Sequence, residues 1–221
     1  MVAIDFTGSN GNPNSPSSLH YIHPSTAIPA PPTGIASYPP VVSHKFMNPY
    51  ELAIRAVGPV LEYYDSDKLF PTYGFGACAQ GSTTTSHCFP LNGNPTQPEV
   101  YGIQGVMEVY QNAIRSLRFS GPTLFEFILE QAVRYGIEVE GMMNSYSQQL
   151  KVEKDKYLVL LIITDGEIHD MSESIRLIVK GADLPLSILI VGVGSADFTN
   201  MNVRISCEMP QSRNGIDTRR R

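Results

Sequence analysis

Apolar and polar positions fall in blocks along the chain, and the blocks predict alternating strands and helices. Tyr157 to Ile163 and Leu186 to Val193 are almost wholly aliphatic, as strands covered on both faces are, and they end at Thr164-Asp165-Gly166 and Gly194. Val2 to Phe6 is a shorter β-rich run that enters the turn-forming cluster Thr7 to Pro13. Ile103, Val106, Met107, Tyr110 and Ile114 repeat at helical spacing. Ala53, Val57, Val60, Leu61 and Tyr64 do the same behind Asn48-Pro49-Tyr50-Glu51, which supplies a cap, a Pro at the first helical position and a Glu three residues after the cap. Pro59 is expected to kink that helix. Further helices are predicted from Leu124 to about Val133 and from Ser172 to Val179.

Lys68 to Gly76 reads as a strand, and Thr84 to Leu91 as a short edge strand pairing back onto it. Buried strands alternating with amphipathic helices give an α/β class: a doubly wound, mostly parallel sheet with helices on both faces and one antiparallel edge strand. Asn12 to Met47 has no apolar period, and Pro29, Pro31, Pro32, Pro39 and Pro40 mark it as a long loop.

Composition narrows the function classes. The 221 residues suit one main domain, and a net charge of -5 with no basic run before the last few residues gives no surface for DNA or RNA. Cys78, Cys88 and Cys207 show no repeated short spacing, which fits a reducing, cytoplasmic compartment. The N-terminal residues do not form a signal peptide, and the longest apolar run is too short to cross a bilayer.

In a parallel α/β sheet, ligands bind beyond the carboxyl ends of the strands. Three loops follow strands or sit beside them there: Asp5-x-Thr7-x-Ser9, Gly121-Pro-Thr123 and Thr164-Asp165-Gly166. They offer the carboxylates of Asp5 and Asp165 and the hydroxyls of Thr7, Ser9 and Thr123. This all-oxygen set suits Mg2+ or Mn2+ and leaves a coordination position for an outside carboxylate. Each piece alone is also ordinary turn or capping chemistry; all three together in this order point to a metal site. His20 with His23, and Cys78 with His87 and Cys88, lack the paired spacing of a zinc site.

The strings Val2-Ala-Ile-Asp-Phe-Thr7, Ser18-Leu-His-Tyr-Ile22, Tyr64-Asp-Ser-Asp-Lys68, Tyr73-Gly-Phe-Gly76, Leu91-Asn-Gly-Asn-Pro95, Gly121-Pro-Thr123, Leu160-Leu-Ile-Ile-Thr-Asp-Gly166 and Leu184-Pro-Leu-Ser-Ile-Leu-Ile-Val-Gly-Val-Gly194 resemble the copine family's von Willebrand factor A-type domain. The resemblance implies that Asp5, Thr7, Ser9, Thr123 and Asp165 are the ligands of a metal-ion-dependent adhesion site. It also implies partners that are proteins presenting an acidic residue to the Mg2+ or Mn2+, in a family of calcium-dependent phospholipid-binding proteins that move from cytoplasm to plasma membrane in membrane-associated signalling. In that family the lipid activity resides in two modules absent from this chain, so membrane association of the chain itself is not expected.

Residues 1–201 are read as the A-type domain, with a Pro-rich insertion at about 26–46. Residues 202–221 are read as a divergent, disordered tail. The first strand is read as clipped, and the last strand and helix as missing. The competing readings are a truncated fragment without independent activity and, further behind, an enzyme related to ubiquitin ligases or to phosphatases. The latter would need a Cys/His cluster or a second acid where Thr7 stands. No catalytic set and no organic cofactor site are read from the sequence.

Overall fold

A computed structural model describes residues 1–23, 47–146, 156–166, 168–195 and 198, with the backbone alone for 142–146. The Pro-rich stretch at 26–46 and the tail at 202–221 lie outside the described residues. The elements in chain order are β1 (Val2–Asp5), a 3-10 turn (Gly8–Asn10), α1 (Pro49–Tyr64), β2 (Leu69–Phe75), β3 (Ala77–Cys78), β4 (Phe89–Pro90), β5 (Glu99–Tyr101), α2 (Gly102–Ser116), β6 (Arg118–Phe119), α3 (Glu126–Tyr146), β7 (Leu158–Thr164), α4 (Met171–Gly181) and β8 (Leu186–Gly192).

The main sheet runs β4-β2-β1-β7-β8. β1 lies parallel between β2 and β7, and β8 lies parallel to β7 along its whole length. The antiparallel edge predicted from Thr84 to Leu91 is present as β4 against β2, and a second short segment, β5, also pairs antiparallel with β2. β3 and β6 form a separate small ribbon.

Side chains of β1 and β7 alternate between two cores, as strand geometry requires. Val2, Ile4, Leu161 and Ile163 pack with Tyr50 and Ile54 of α1 and Val106, Met107 and Tyr110 of α2. Ala3, Leu160 and Ile162 pack on the opposite face with Ile128, Leu129 and Ala132 of α3 and Leu177 of α4. Each fully buried Leu or Ile here contributes about 1.5–3 kcal/mol of burial free energy. The doubly wound α/β architecture read from the sequence is thus the observed one.

Three details depart from the sequence reading. The buried residues of α1 are Tyr50, Glu51, Ile54 and Gly58, while Val60 and Tyr64 are exposed. Gly58 sits there because Ile103 packs into the space a Cβ would need, and the helix continues through Pro59 to Tyr64. α3 extends well past Val133. β8 is not covered on both faces: its residues alternate between half-buried and exposed, and among the described residues no strand pairs with its outer edge.

Candidate metal centre

The sheet order places a topological switch point at β1, because the chain moves first to β2 on one side and later to β7 on the other. The loops leaving β1 and β7 therefore diverge to opposite faces and open a crevice at the carboxyl ends of these strands. Asp5 closes β1 and Thr164 closes β7, and the pairing of Ile4 with Ile163 sets them side by side. The Thr164 hydroxyl donates to Asp5 Oδ2 at 2.6 Å.

The other oxygen of Asp5 organises its own loop. Asp5 Oδ1 accepts from the Thr7 backbone N–H at 2.8 Å and from the Thr7 hydroxyl at 2.6 Å. Thr7 Oγ1 lies 3.0 Å from Ser9 Oγ and 3.3 Å from Thr123 Oγ1. Asp165 stands near enough to Ser9 and Asp5 for both side chains to act on its carboxyl. The structure therefore brings together all five residues singled out in the sequence. Asp5, Thr7, Thr123 and Asp165 are buried, and Ser9 is exposed at the rim.

Asp5 is fully buried, and the Asp165 charge nearby disfavours its ionisation. Burial pushes the Asp5 carboxyl up to about 6, with the Asp165 charge adding to the rise against the hydrogen bonds from Thr164 and Thr7. Burial also raises Asp165. Among the described residues neither carboxylate has a basic partner within ion-pair distance. Among the described residues no basic group compensates the charge at this point.

The donor set fits a small divalent cation. Ligand oxygens at 2.0–2.1 Å in an octahedron stand about 3 Å from their neighbours. The Thr7–Ser9 hydroxyl separation of 3.0 Å matches such an edge, and the Thr7–Thr123 separation of 3.3 Å is somewhat longer. Thr7, Ser9 and Thr123 would face the ion directly, and Asp5 and Asp165 would balance its charge.

Several residues the sequence reading passed over hold this arrangement. The Thr123 N–H donates to His169 Nδ1 at 3.3 Å, and the His169 N–H donates to the Thr123 carbonyl at 3.0 Å. Asp170 accepts the backbone N–H groups of Phe125 at 3.0 Å and Glu126 at 2.7 Å, which caps the first turn of α3 with a carboxylate from another loop. The loop bearing Asp165 is thereby fastened to the loop bearing Thr123. On the other side, Gly8 N donates to the Ser120 carbonyl, and Thr7 bridges to Ser120 in parallel.

His20 is a structural residue. Burial pushes its ring down to about 3, so it is neutral. Its Nε2–H donates to the Asp5 carbonyl at 2.8 Å, while Nδ1 stands 2.8 Å from the Tyr110 hydroxyl. It stacks on Tyr50 with centroids 4.0 Å apart. Tyr50 in turn donates to Asn10 Oδ1, and Asn10 Nδ2 donates to the Thr7 carbonyl, so the aromatic layer fixes the backbone of the Asp5–Ser9 loop.

A family model described as Copine matches residues 41–219 of the chain. The chain belongs to the copine family. Its relatives include Protein BONZAI 2 and Protein BONZAI 1 of Arabidopsis thaliana, each 47% identical over 203 residues, which is 92% of this chain and 30% of the relative. The chain thus spans under a third of the length of these copine relatives. The match to the copine model runs past Met201, where the sequence reading places the domain boundary. Among solved structures, the manganese-loaded Plasmodium vivax TRAP protein is similar at 13% identity with a TM-score of 0.47, covering 96% of this chain and 63% of that one. Among the described residues no helix is long and apolar enough to cross a membrane.

Proposed function

We propose that this copine chain is a cation-dependent protein-interaction module. The observation that carries the reading is the proximity of Asp5 and Asp165, with no basic partner among the described residues, beside the linked hydroxyls of Thr7, Ser9 and Thr123. Mg2+ or Mn2+ bound there supplies a Lewis-acidic position that an outside carboxylate completes. Asp5 and Asp165 balance the ion's charge, Thr7, Ser9 and Thr123 orient toward it, and Thr164 keeps Asp5 in place through Oδ2. The partner is a protein presenting an Asp or Glu side chain. A role in membrane-associated signalling, with peripheral plasma-membrane localisation through other modules of longer relatives, follows as part of the same proposal. No catalytic role is proposed: the Asp5 carboxylate that accepts from the Thr7 and Thr164 hydroxyls is assigned to charge balance, and the buried His20 is committed to structural hydrogen bonds.

Thermal melting with and without cation tests the proposal. At a Mn2+ concentration one hundred times the dissociation constant, mass action stabilises the folded chain by about 2.7 kcal/mol. In a domain of this size that raises the midpoint by roughly 5–10 °C. A midpoint that ignores both Mn2+ and Mg2+ while the chain is folded would contradict the reading.

A further inference from the structure

A cleft of about 790 Å³ opens beside the candidate metal centre, and Gly8, the residue between Thr7 and Ser9, forms part of its wall. Leu117, Phe119 and Tyr21 contribute apolar surface to its lining. Arg115, from the last turn of α2, and Arg118, from β6, both line it. In a chain of net charge -5, no described residue lining this cleft is acidic. Both arginines are exposed, and among the described residues neither has a carboxylate within ion-pair distance, whereas Arg134 and Arg176 are paired with Glu130 and Glu173. Arg118 donates to the Ser82 carbonyl at 3.2 Å, and a guanidinium has five N–H donors, so others are available to a ligand.

We propose that this cleft is a second recognition subsite for the partner, taking an additional carboxylate of an acidic peptide segment whose neighbouring Asp or Glu reaches the metal centre. The inference rests on the proposed cation-dependent function and adds to it that the recognised segment carries several acidic residues. Charge complementarity supplies the argument. A peptide leaving the metal centre past Gly8 meets a cleft lined by Leu117 and Phe119 and by Arg115 and Arg118, and guanidiniums suit carboxylates through forked N–H donors. A single acidic residue engages the metal centre alone, whereas an acidic cluster engages both places.

Fluorescence anisotropy with two labelled peptides tests this: hexaglutamate, and a Gly/Ser peptide of equal length with one Glu. In Mn2+, hexaglutamate is expected to bind about three- to tenfold more tightly, the range of two partly exposed charge-assisted contacts. The double variant Arg115→Gln/Arg118→Gln removes this advantage. The control Arg134→Gln/Arg176→Gln, which removes the same charge elsewhere, keeps it, and melting curves verify that both variants fold. In EDTA hexaglutamate binds more weakly, but its binding still falls on loss of Arg115 and Arg118. Equal hexaglutamate affinity of the parent and the Arg115/Arg118 variant in EDTA, or equal loss in both double variants, overturns the proposal. Failure of Mn2+ to change the binding of either peptide counts against the metal centre, and the EDTA arm still decides the cleft. A parent chain that binds phosphatidylserine vesicles through Arg115 and Arg118 but not hexaglutamate would mean that the cleft faces lipid instead, which also overturns the proposal.

Discussion

Replacing Asp170 by Ala should unfasten the two loops of the candidate metal centre and weaken α3 in one step. Its carboxylate accepts from Phe125 N at 3.0 Å and from Glu126 N at 2.7 Å, and the Ser174 hydroxyl donates to it at 3.2 Å. A hydrogen bond to a charged acceptor contributes about 1.5–3 kcal/mol. Half-burial places these two backbone bonds at the lower end, so their sum is about 3 kcal/mol, including the favourable placement of negative charge at a helix N-terminus. Asp170→Asn keeps one acceptor oxygen and turns an amide N–H toward the other donor, so its expected cost is about half as large. In urea, Asp170→Ala should lower the unfolding free energy by about 3 kcal/mol with an unchanged m-value. Because His169 and Thr123 hold each other next to this cap, its Mn2+ affinity should fall as well. A loss below about 0.5 kcal/mol in the Ala variant, or equal losses in Ala and Asn, would refute the assignment of Asp170 as the clamp.

Other expectations follow from the same geometry. Gly76 has φ +77, and a Cβ there would overlap the Thr7 methyl and crowd the Thr7 backbone, so Gly76→Ala should cost about 3 kcal/mol in stability and lower cation affinity; an unchanged melt would refute this. In EDTA, the folded chain holds the Asp5 proton more tightly than the unfolded chain, with about 6 against the usual 3.8. Stability is therefore fully present below about pH 4 and declines by about 3 kcal/mol as pH rises through 6, and Asp5→Asn should flatten this slope in pH-dependent urea unfolding. Hydrogen exchange should reach the amides of Leu186–Gly192 before those of Leu158–Thr164, since among the described residues β7 is paired on both sides and β8 on one; equal protection would contradict this.

The parts of the fold that could be read from sequence are those whose side chains meet one kind of environment. β7 is buried along most of its length, so its composition alone announces it, and α2 shows its apolar face because Ile103, Val106, Met107, Tyr110 and Ile114 all point to one core. α1 misled because Val60 and Tyr64 are apolar yet exposed, while Glu51 is buried by its capping hydrogen bonds and Gly58 by Ile103. β5 is three residues long and carries no pattern of its own; its partner β2 defines it. α3 continues through Gly136, a residue that reads as a stop but here admits Leu184.

The five candidate ligands were legible because each belongs to a loop at the carboxyl end of a strand or beside one, where alternation of buried and polar runs breaks. Thr164, His169, Asp170 and His20 were not. Thr164 matters through the β1–β7 register, Asp170 through a helix far away in sequence, and His20 through an aromatic layer drawn from α1 and α2. Such roles are set by tertiary contacts, and local sequence does not encode them.

The central claim is that Asp5 and Asp165 share a divalent cation with Thr7, Ser9 and Thr123. Isothermal titration of Mn2+ into the chain and into its Asp5→Ala and Asp165→Ala variants tests it most directly, with circular dichroism showing that each variant is folded. The account predicts saturable binding of a single ion to the parent chain and its loss in both variants, because removing either carboxylate leaves the ion's charge half-balanced. Undiminished affinity in both folded variants, or no binding to the parent chain, would contradict it.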